Sequence, residues 1–225
     1  LGQMSFVKII VTVDLTVDVH NYKEVIKLLL NKINFKHDLF FSEGVLDVLN
    51  HASDHMLFGS KLGIDLTEKV EGEPGFGESI QAEVKSSSTP SIEEVKSYFP
   101  ELADCRFFNI DAQPTVLVVA LNKTRANQTK EFIETFFSES KFLWANILIV
   151  LEGHVDLENN SMIMWKVFNN LDPKRDFHFK GDRLGVDATK KYKEEGYQQN
   201  WPEEIEMSEE IKTRVDSKWN SMFGK

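Results

Sequence analysis

One phrase occurs twice in this chain. "KLGIDLTEK" at 61–69 returns as "RLGVDATKK" at 183–191, and aligning Gly63 with Gly185 fixes an offset of 122 residues. A longer stretch repeats upstream of it. Residues 7–42 run against 145–180 without a gap at an offset of 138, with Asp18 on Asp156. Repetition on this scale constrains the fold more than composition does, because two copies of one pattern call for two copies of one supersecondary unit.

The patterns agree as well as the letters. "VKIIVTV" at 7–13 and "ANILIVL" at 145–151 are apolar and rich in β-branched residues, which predicts buried strands. Each leads into a similar turn, "TVDVHN" or "HVDLEN", and then into apolar residues at helical spacing. These are Val25, Leu28, Leu29 and Ile33 in one copy, and Ile163, Lys166, Val167 and Leu171 in the other, where only Lys166 breaks the stripe. "INFKHDLFF" and "LDPKRDFHF" then read as charged turns ending in a short strand. Strand, helix and strand with short connections predict a parallel unit with a right-handed crossover.

The two offsets differ by 16 residues, which the first copy carries between Ser42 and Lys61 and the second lacks. The second copy adds an upstream part, with "CRFFNI" and "TVLVVAL" as strands and "NQTKEFIETFF" as a helix. By this reading the chain starts in the middle of its first repeat. "LGQMSFVKIIV" lacks an initiator Met and enters a strand almost at once, so the expectation is a piece of a longer polypeptide in which a similar helix precedes Leu1.

The expected fold class is α/β, with two related α/β subdomains from an internal duplication, the first truncated at its N-terminus. Residues 1–70 form the first partial unit, 71–90 a linker, 91–207 the second unit and 208–225 a C-terminal amphipathic helix. The linker is rich in Gly, Ser and Pro, with one short strand predicted at 79–84. Its "GEPGFG" lacks the preceding strand and following helix that a phosphate loop requires. Ser91 and Glu94 have capping-box spacing. At the far end Ile211, Val215, Trp219 and Met222 share one face behind Ser208 as cap, and that face must dock on its own domain or on a neighbouring subunit.

Charge narrows the partners. The formal net charge of -10 opposes nucleic-acid backbones and anionic lipid surfaces, and no apolar run approaches the ~20 residues a membrane helix needs. The lone Cys105 cannot pair within the chain and reads as a small buried residue, which fits a reducing cytoplasm.

Candidate chemistry is sparse. His51 and His55 have the i, i+4 spacing that puts two imidazoles on one helix face, with Asp54 between them, yet the second copy lacks this stretch. They read as helix-end or surface residues, and no metal site is expected. Asp14, Asp18, Asp156 and Glu158 follow strand ends, where carboxylates cap the next helix. Gly63, Asp65, Gly185 and Asp187 read as a structural turn motif, in which glycine allows a tight turn and the carboxylate accepts local amides. Both copies keep it although only one could face a given active site, so the repeated phrase specifies a fold. No nucleophile elbow, paired Cys or glycine fingerprint appears, and no catalytic residue is expected.

"GVLDVLNHAS" at 44–53, followed by "FGSKLGIDLTEK" at 58–69, resembles the C-terminal region of the UbiD-like aromatic-acid decarboxylases. So do "NNLDPKRDFHF" at 169–179, "RLGVDATKKYKEEGY" at 183–197 and "NWPEEIEM" at 200–207. The resemblance implies a parent enzyme of the polyprenyl-hydroxybenzoate or menaquinone-pathway type. Such an enzyme removes CO2 from an aromatic acid without oxidation, using prenylated FMN with a divalent metal ion. The cofactor-binding and acid–base residues of that family lie upstream, so this chain alone is expected to hold no cofactor and to be inert. The resemblance further implies that the region builds homo-oligomer contacts, through the C-terminal helix, and covers one side of the active site in the rest of the parent enzyme. By the same resemblance residues 43–58 line the substrate side of the cofactor, which makes Val45, Leu46 and Asp47 part of a wall. Two alternatives stand beside these readings: a loop that covers the first copy's own core, and a non-catalytic interaction module that shares the fold.

Overall fold

Uninterrupted apolar segments become central strands when both of their faces are covered. In the computed structural model, which describes residues 2–78, 90–108, 115–205 and 207–223, such segments build two sheets. The smaller holds β1 (Ile9–Thr12), β2 (Leu39–Val45) and β3 (Phe58–Asp65) in the order β1-β3-β2. The larger holds β4 (Leu102–Phe108), β5 (Thr115–Leu121), β6 (Ala145–Glu152), β7 (Phe177–Lys180) and β8 (Arg183–Asp187) in the order β4-β5-β6-β8-β7. β1 runs parallel to β3, with Ile9 beside Leu62, and β6 runs parallel to β8, with Ile147 beside Leu184. Phe40 of β2 lies opposite Gly63 as His178 of β7 lies opposite Gly185. All four β1–β3 pairs recur in β6 and β8 at the two sequence offsets.

Two expectations need correction. The strand after each helix is not the parallel partner of the strand before it, because β2 and β7 are antiparallel to their neighbours β3 and β8. In the second unit Gly181, at φ 59°, begins the two-residue turn between Lys180 and Arg183, and this folds β8 back beside β6. The glycines of the repeated phrase also lie inside strands, not in a turn, and the chain bends only after Asp65 and Asp187. Gly185 is required by close approach: a Cβ there would overlap Ile133 Cγ2.

Among the described residues six α-helices accompany the sheets. α1 (Tyr22–Lys32) and α4 (Asn160–Asn170) are capped at equivalent positions, where Asn21 accepts the Glu24 amide and Asn159 the Met162 amide. Asp18 and Asp156 are therefore not caps. Each accepts an amide two residues on, from His20 and Glu158, at 2.9 Å, and shapes the turn ahead of the helix. α2 (Ile92–Tyr98) opens on the Ser91–Glu94 capping box, and α3 (Gln128–Ser138) and the short α5 (Pro173–Asp176) follow. α6 (Glu209–Phe223) begins beside Ser208, whose hydroxyl accepts the Ile211 amide, and leaves Val215, Trp219 and Met222 exposed. The strand predicted at 79–84 lies outside the described residues, and among those residues no helix is long and apolar enough to cross a membrane.

Alternation along β5 assigns its two faces. Leu117, Val119 and Leu121 meet Phe99, Phe132 and Phe136 beneath α2 and α3, while Val116, Val118 and Ala120 meet Leu30 of α1 and Ile163 of α4. On its other side α1 packs Leu28 and Leu29, with Ile33 just past its end, against Leu62 and Ile64 of β3. Thus α1 belongs to the cores of both sheets. The far face of the smaller sheet leaves Ile10 and Phe40 exposed.

Gly185→Ala is expected to cost about 1–3 kcal/mol through overpacking against Ile133. In a denaturation cycle with Ile133→Ala, the double variant should lose at least about 1 kcal/mol less than the two single losses combined. Strict additivity would mean that the contact does not require glycine.

Candidate functional site

The third strand of each unit ends on a carboxylate, the place where α/β folds commonly put chemistry. Asp65 accepts both the amide and the hydroxyl of Thr67, at 3.0 and 2.7 Å, and Asp187 accepts those of Thr189 at 3.0 and 2.6 Å. Lys69 lies 2.7 Å from Asp65 and 3.0 Å from Asp38. Lys191 lies 3.0 Å from Asp187 and 3.5 Å from Asp176. Asp38 and Asp176 also accept an amide from four residues earlier, Asn34 at 2.7 Å and Asp172 at 2.8 Å. Each unit therefore carries a carboxylate–lysine–carboxylate staple that binds the end of its third strand to the entry of its second.

Threonine, lysine and the second aspartate are the members that sequence reasoning missed. Their signal was present: D-x-T-x-K stands inside both copies of the repeated phrase, and Asp38 and Asp176 match at the longer offset. Burial alone would raise the Asp65 carboxyl, but hydrogen bonds from Lys69 and Thr67 outweigh it and hold the group at about 2. Burial likewise opposes the charge on Asp187, and Lys191, Lys123 and Thr189 draw that carboxyl below its ordinary value. In the second unit Lys123 extends the network to Thr189 at 3.1 Å and Glu195 at 2.7 Å. Acids already saturated by protein donors in this way serve as structural anchors, with their acceptor sites engaged within the chain.

The 16 additional residues do something else. β2 and β3 continue past the point where β7 and β8 turn, pairing Glu43 with Ser60 and Val45 with Phe58, and the loop at their tip lies on the second unit. Asp172 accepts the amide and hydroxyl of Ser60, and Arg175 donates to Asp54 at 2.6 Å. Tyr197 donates to the His51 carbonyl at 2.7 Å, and Gln199 donates to that of Ser53 at 2.8 Å. The insert is a clasp between units, and does not merely cover the first copy's core.

Of the three residues expected in a wall, Val45 and Asp47 are exposed, and Asp47 accepts the Leu49 amide at 2.8 Å. Leu46 is only 1% exposed and lies inside the loop. His51 and His55 do not sit on a helix. His51 Nε2 lies 3.1 Å from Asn170 Oδ1, its ring meets Trp201 edge-on, and burial lowers its pKa. Asp54 is committed to Arg175.

Glu152, His154 and Glu204 lie close enough together to hold a metal ion, and they form the one such group among the described residues. The ammonium of Lys166 contacts Glu204 and lies 3.9 Å from Glu152, so the cluster already contains its cation. This accounts for the lysine in the apolar stripe of α4. Gly75 and Gly77, both at positive φ, line a cleft of about 250 Å³ together with Asp38, Asp65, Glu68 and Glu78. Lys32 and Lys69 also line it, paired with Glu68 and with Asp38 and Asp65, so carboxylates outnumber cations four to two and disfavour phosphate. These residues fit neither the phosphate of a flavin nor a divalent cation, and neither group enters the chemistry assigned to this chain. Cys105 is buried, which raises its thiol pKa to about 11, far from a nucleophile's range.

Fold and side chains together define an α/β body whose strand-end charges neutralise one another. The chain matches the family of 3-octaprenyl-4-hydroxybenzoate carboxy-lyase C-terminal domains over residues 1–66 and 84–198, and it belongs to that family. An uncharacterized protein of Helicobacter pylori is 28% identical over 218 residues, covering 94% of this chain and 33% of its own length. Another, from Archaeoglobus fulgidus, is 26% identical over 140 residues, covering 55% of this chain and 29% of its own length. The chain thus spans about a third of the length of these relatives. Among solved structures, an evolved dimeric form of the UbiD-class enzyme HmfF from Pelotomaculum thermopropionicum, in complex with prFMN, is 17% identical with a TM-score of 0.43, covering 56% of this chain and 28% of that one. Sedimentibacter hydroxybenzoicus vanillic acid decarboxylase in closed form is 14% identical with a TM-score of 0.45, covering 60% and 31%.

Because the Asp65 carboxyl is held below its unfolded value, its contribution to stability is fully present above about pH 4 and is lost as pH falls towards about 2. Urea unfolding across that window should show stability falling with acid, and Asp65→Asn should flatten the slope. An unchanged slope would mean that the Lys69 bridge does not operate in solution.

Proposed function

We propose that this chain is the C-terminal part of a decarboxylase that removes CO2 from an aromatic acid without oxidation, where it serves assembly and covers one side of the active site. The observation that carries this reading is the family match across 1–66 and 84–198. The staples support it, since groups that could move a proton are engaged in holding the fold. What the chain offers a neighbour is apolar surface. Val45, Val48, Leu49, Met56 and Leu57 are exposed around the clasp, and Val215, Trp219 and Met222 are exposed along α6.

In this reading Val45 and Asp47 face the substrate side, with Leu46 supporting them from within, and α6 seats on a further copy of the polypeptide. Prenylated FMN, its divalent metal and the acid–base groups belong to the rest of the enzyme, which acts in the cytoplasm in quinone biosynthesis. An internal duplication is part of the same reading. It is supported by the shared strand register and by the two staples at constant sequence offsets.

The test uses the full-length polypeptide loaded with prenylated FMN and a divalent metal ion. It should release CO2 from a hydroxybenzoate-type acid, whereas residues 1–225 alone should give no saturable quenching of flavin fluorescence. Tight flavin binding by the isolated chain, or a loaded full-length protein inert towards every aromatic acid tried, would count against the proposal.

A further inference from the structure

Among the described residues, one face of the smaller sheet is bare where the corresponding face of the larger sheet is covered by a helix. In the larger sheet α3 crosses Gly185 so closely that Ile133 fills the space a side chain would take. Its partner positions are all buried: Phe142, which stacks on Phe136 at 4.7 Å, Trp144 and Leu148. At the offset of 138 their counterparts are Met4, Phe6 and Ile10. Exposure there is 76%, 42% and 48%, against 1%, 4% and 0% in the second unit. Around Gly63, the counterpart of Gly185, the nearest atom to a built Cβ is Phe40 Cβ at 3.6 Å. Phe40 is itself exposed.

The approach to the strand is prepared in the same way. A 3-10 turn at Ser140–Phe142 links α3 to β6, and a 3-10 turn at Gln3–Phe6 precedes β1 at nearly the same offset. Arg183 donates to the Ala145 carbonyl and to that of Phe137 near the end of α3. Its counterpart Lys61 donates to the Val7 carbonyl, the equivalent of Ala145, at 3.0 Å. Beyond β6 the larger sheet continues into the parallel strand β5, while β1 is the edge of its own sheet among the described residues.

We propose that the bare face seats an amphipathic helix of the α3 kind, preceded by a strand that pairs in parallel with β1, both supplied by the polypeptide leading into β1 in the full-length protein. The helix lies over Gly63 and covers Met4, Phe6, Ile10 and Phe40. The Helicobacter pylori relative is about three times as long as this chain, so it has room for the polypeptide such a pair requires. The inference rests on the repeat-unit reading and needs no catalytic activity.

The test is thiol protection in the full-length protein. Ile10→Cys and, as an exposed reference, Leu15→Cys are alkylated with iodoacetamide under native conditions and quantified by peptide mass spectrometry, which separates them from the buried Cys105. The thiol at position 10 should react at least about 100-fold more slowly than that at position 15, and equally fast once the protein is unfolded. Phe40→Cys provides the same readout should Ile10→Cys disturb the fold. Native rates within threefold of the reference would overturn the proposal. So would protection that disappears on dilution, because the cover would then come from a second copy.

Discussion

α1 has apolar residues on more than one side, and each side has to leave water. Burial stabilises by roughly 25 cal/mol per Å² of apolar surface, so an eleven-residue helix with two apolar faces is stable only between two layers. Leu30 meets Val116 and Val118 of the larger sheet, while Ile33 meets Leu62 and Ile64 of the smaller. The two sheets cannot part without exposing this helix. A division at the linker, natural as it looks in the sequence, therefore does not yield two independent cores. The clasp around Ser60 and Asp172 closes the rim of the same joint.

Charges inside such a body must be paired where they lie, since a buried ion without a partner costs several kcal/mol. The staples meet that requirement twice with the same residues. Lys166, the exception in its helix, meets it once more with Glu204 and Glu152. Ionisable groups that mark catalysis in other folds are here part of the support.

The local features were legible in the sequence. β5 and β6 are continuous apolar runs, and Ser91 and Glu94 announce a helix start. Strand direction was not legible, because whether β2 or β3 lies beside β1 is settled by pairing between segments and not by either segment alone. Gly63 and Gly185 read as turn residues because a glycine inside a strand, such as Gly185 beneath Ile133 of α3, looks the same in sequence as one required by a bend. The clasp had no local signature either: Ser60 and Asp172 are 112 residues apart, and neither residue advertises the other. His51 and His55 had helical spacing but fell in a loop ordered by contacts from the second unit.

The central claim is that the two sheets share one core around α1 and open as one. Native-state hydrogen exchange in increasing denaturant tests it most directly, by comparing amides of α1 and β3 with those of β5 and β6. If the account is right, the most protected amides of both groups converge on a single opening free energy with the same denaturant dependence. If residues 9–65 exchange through a separate, lower-energy opening while β5 and β6 stay protected, the core is not shared and the account fails.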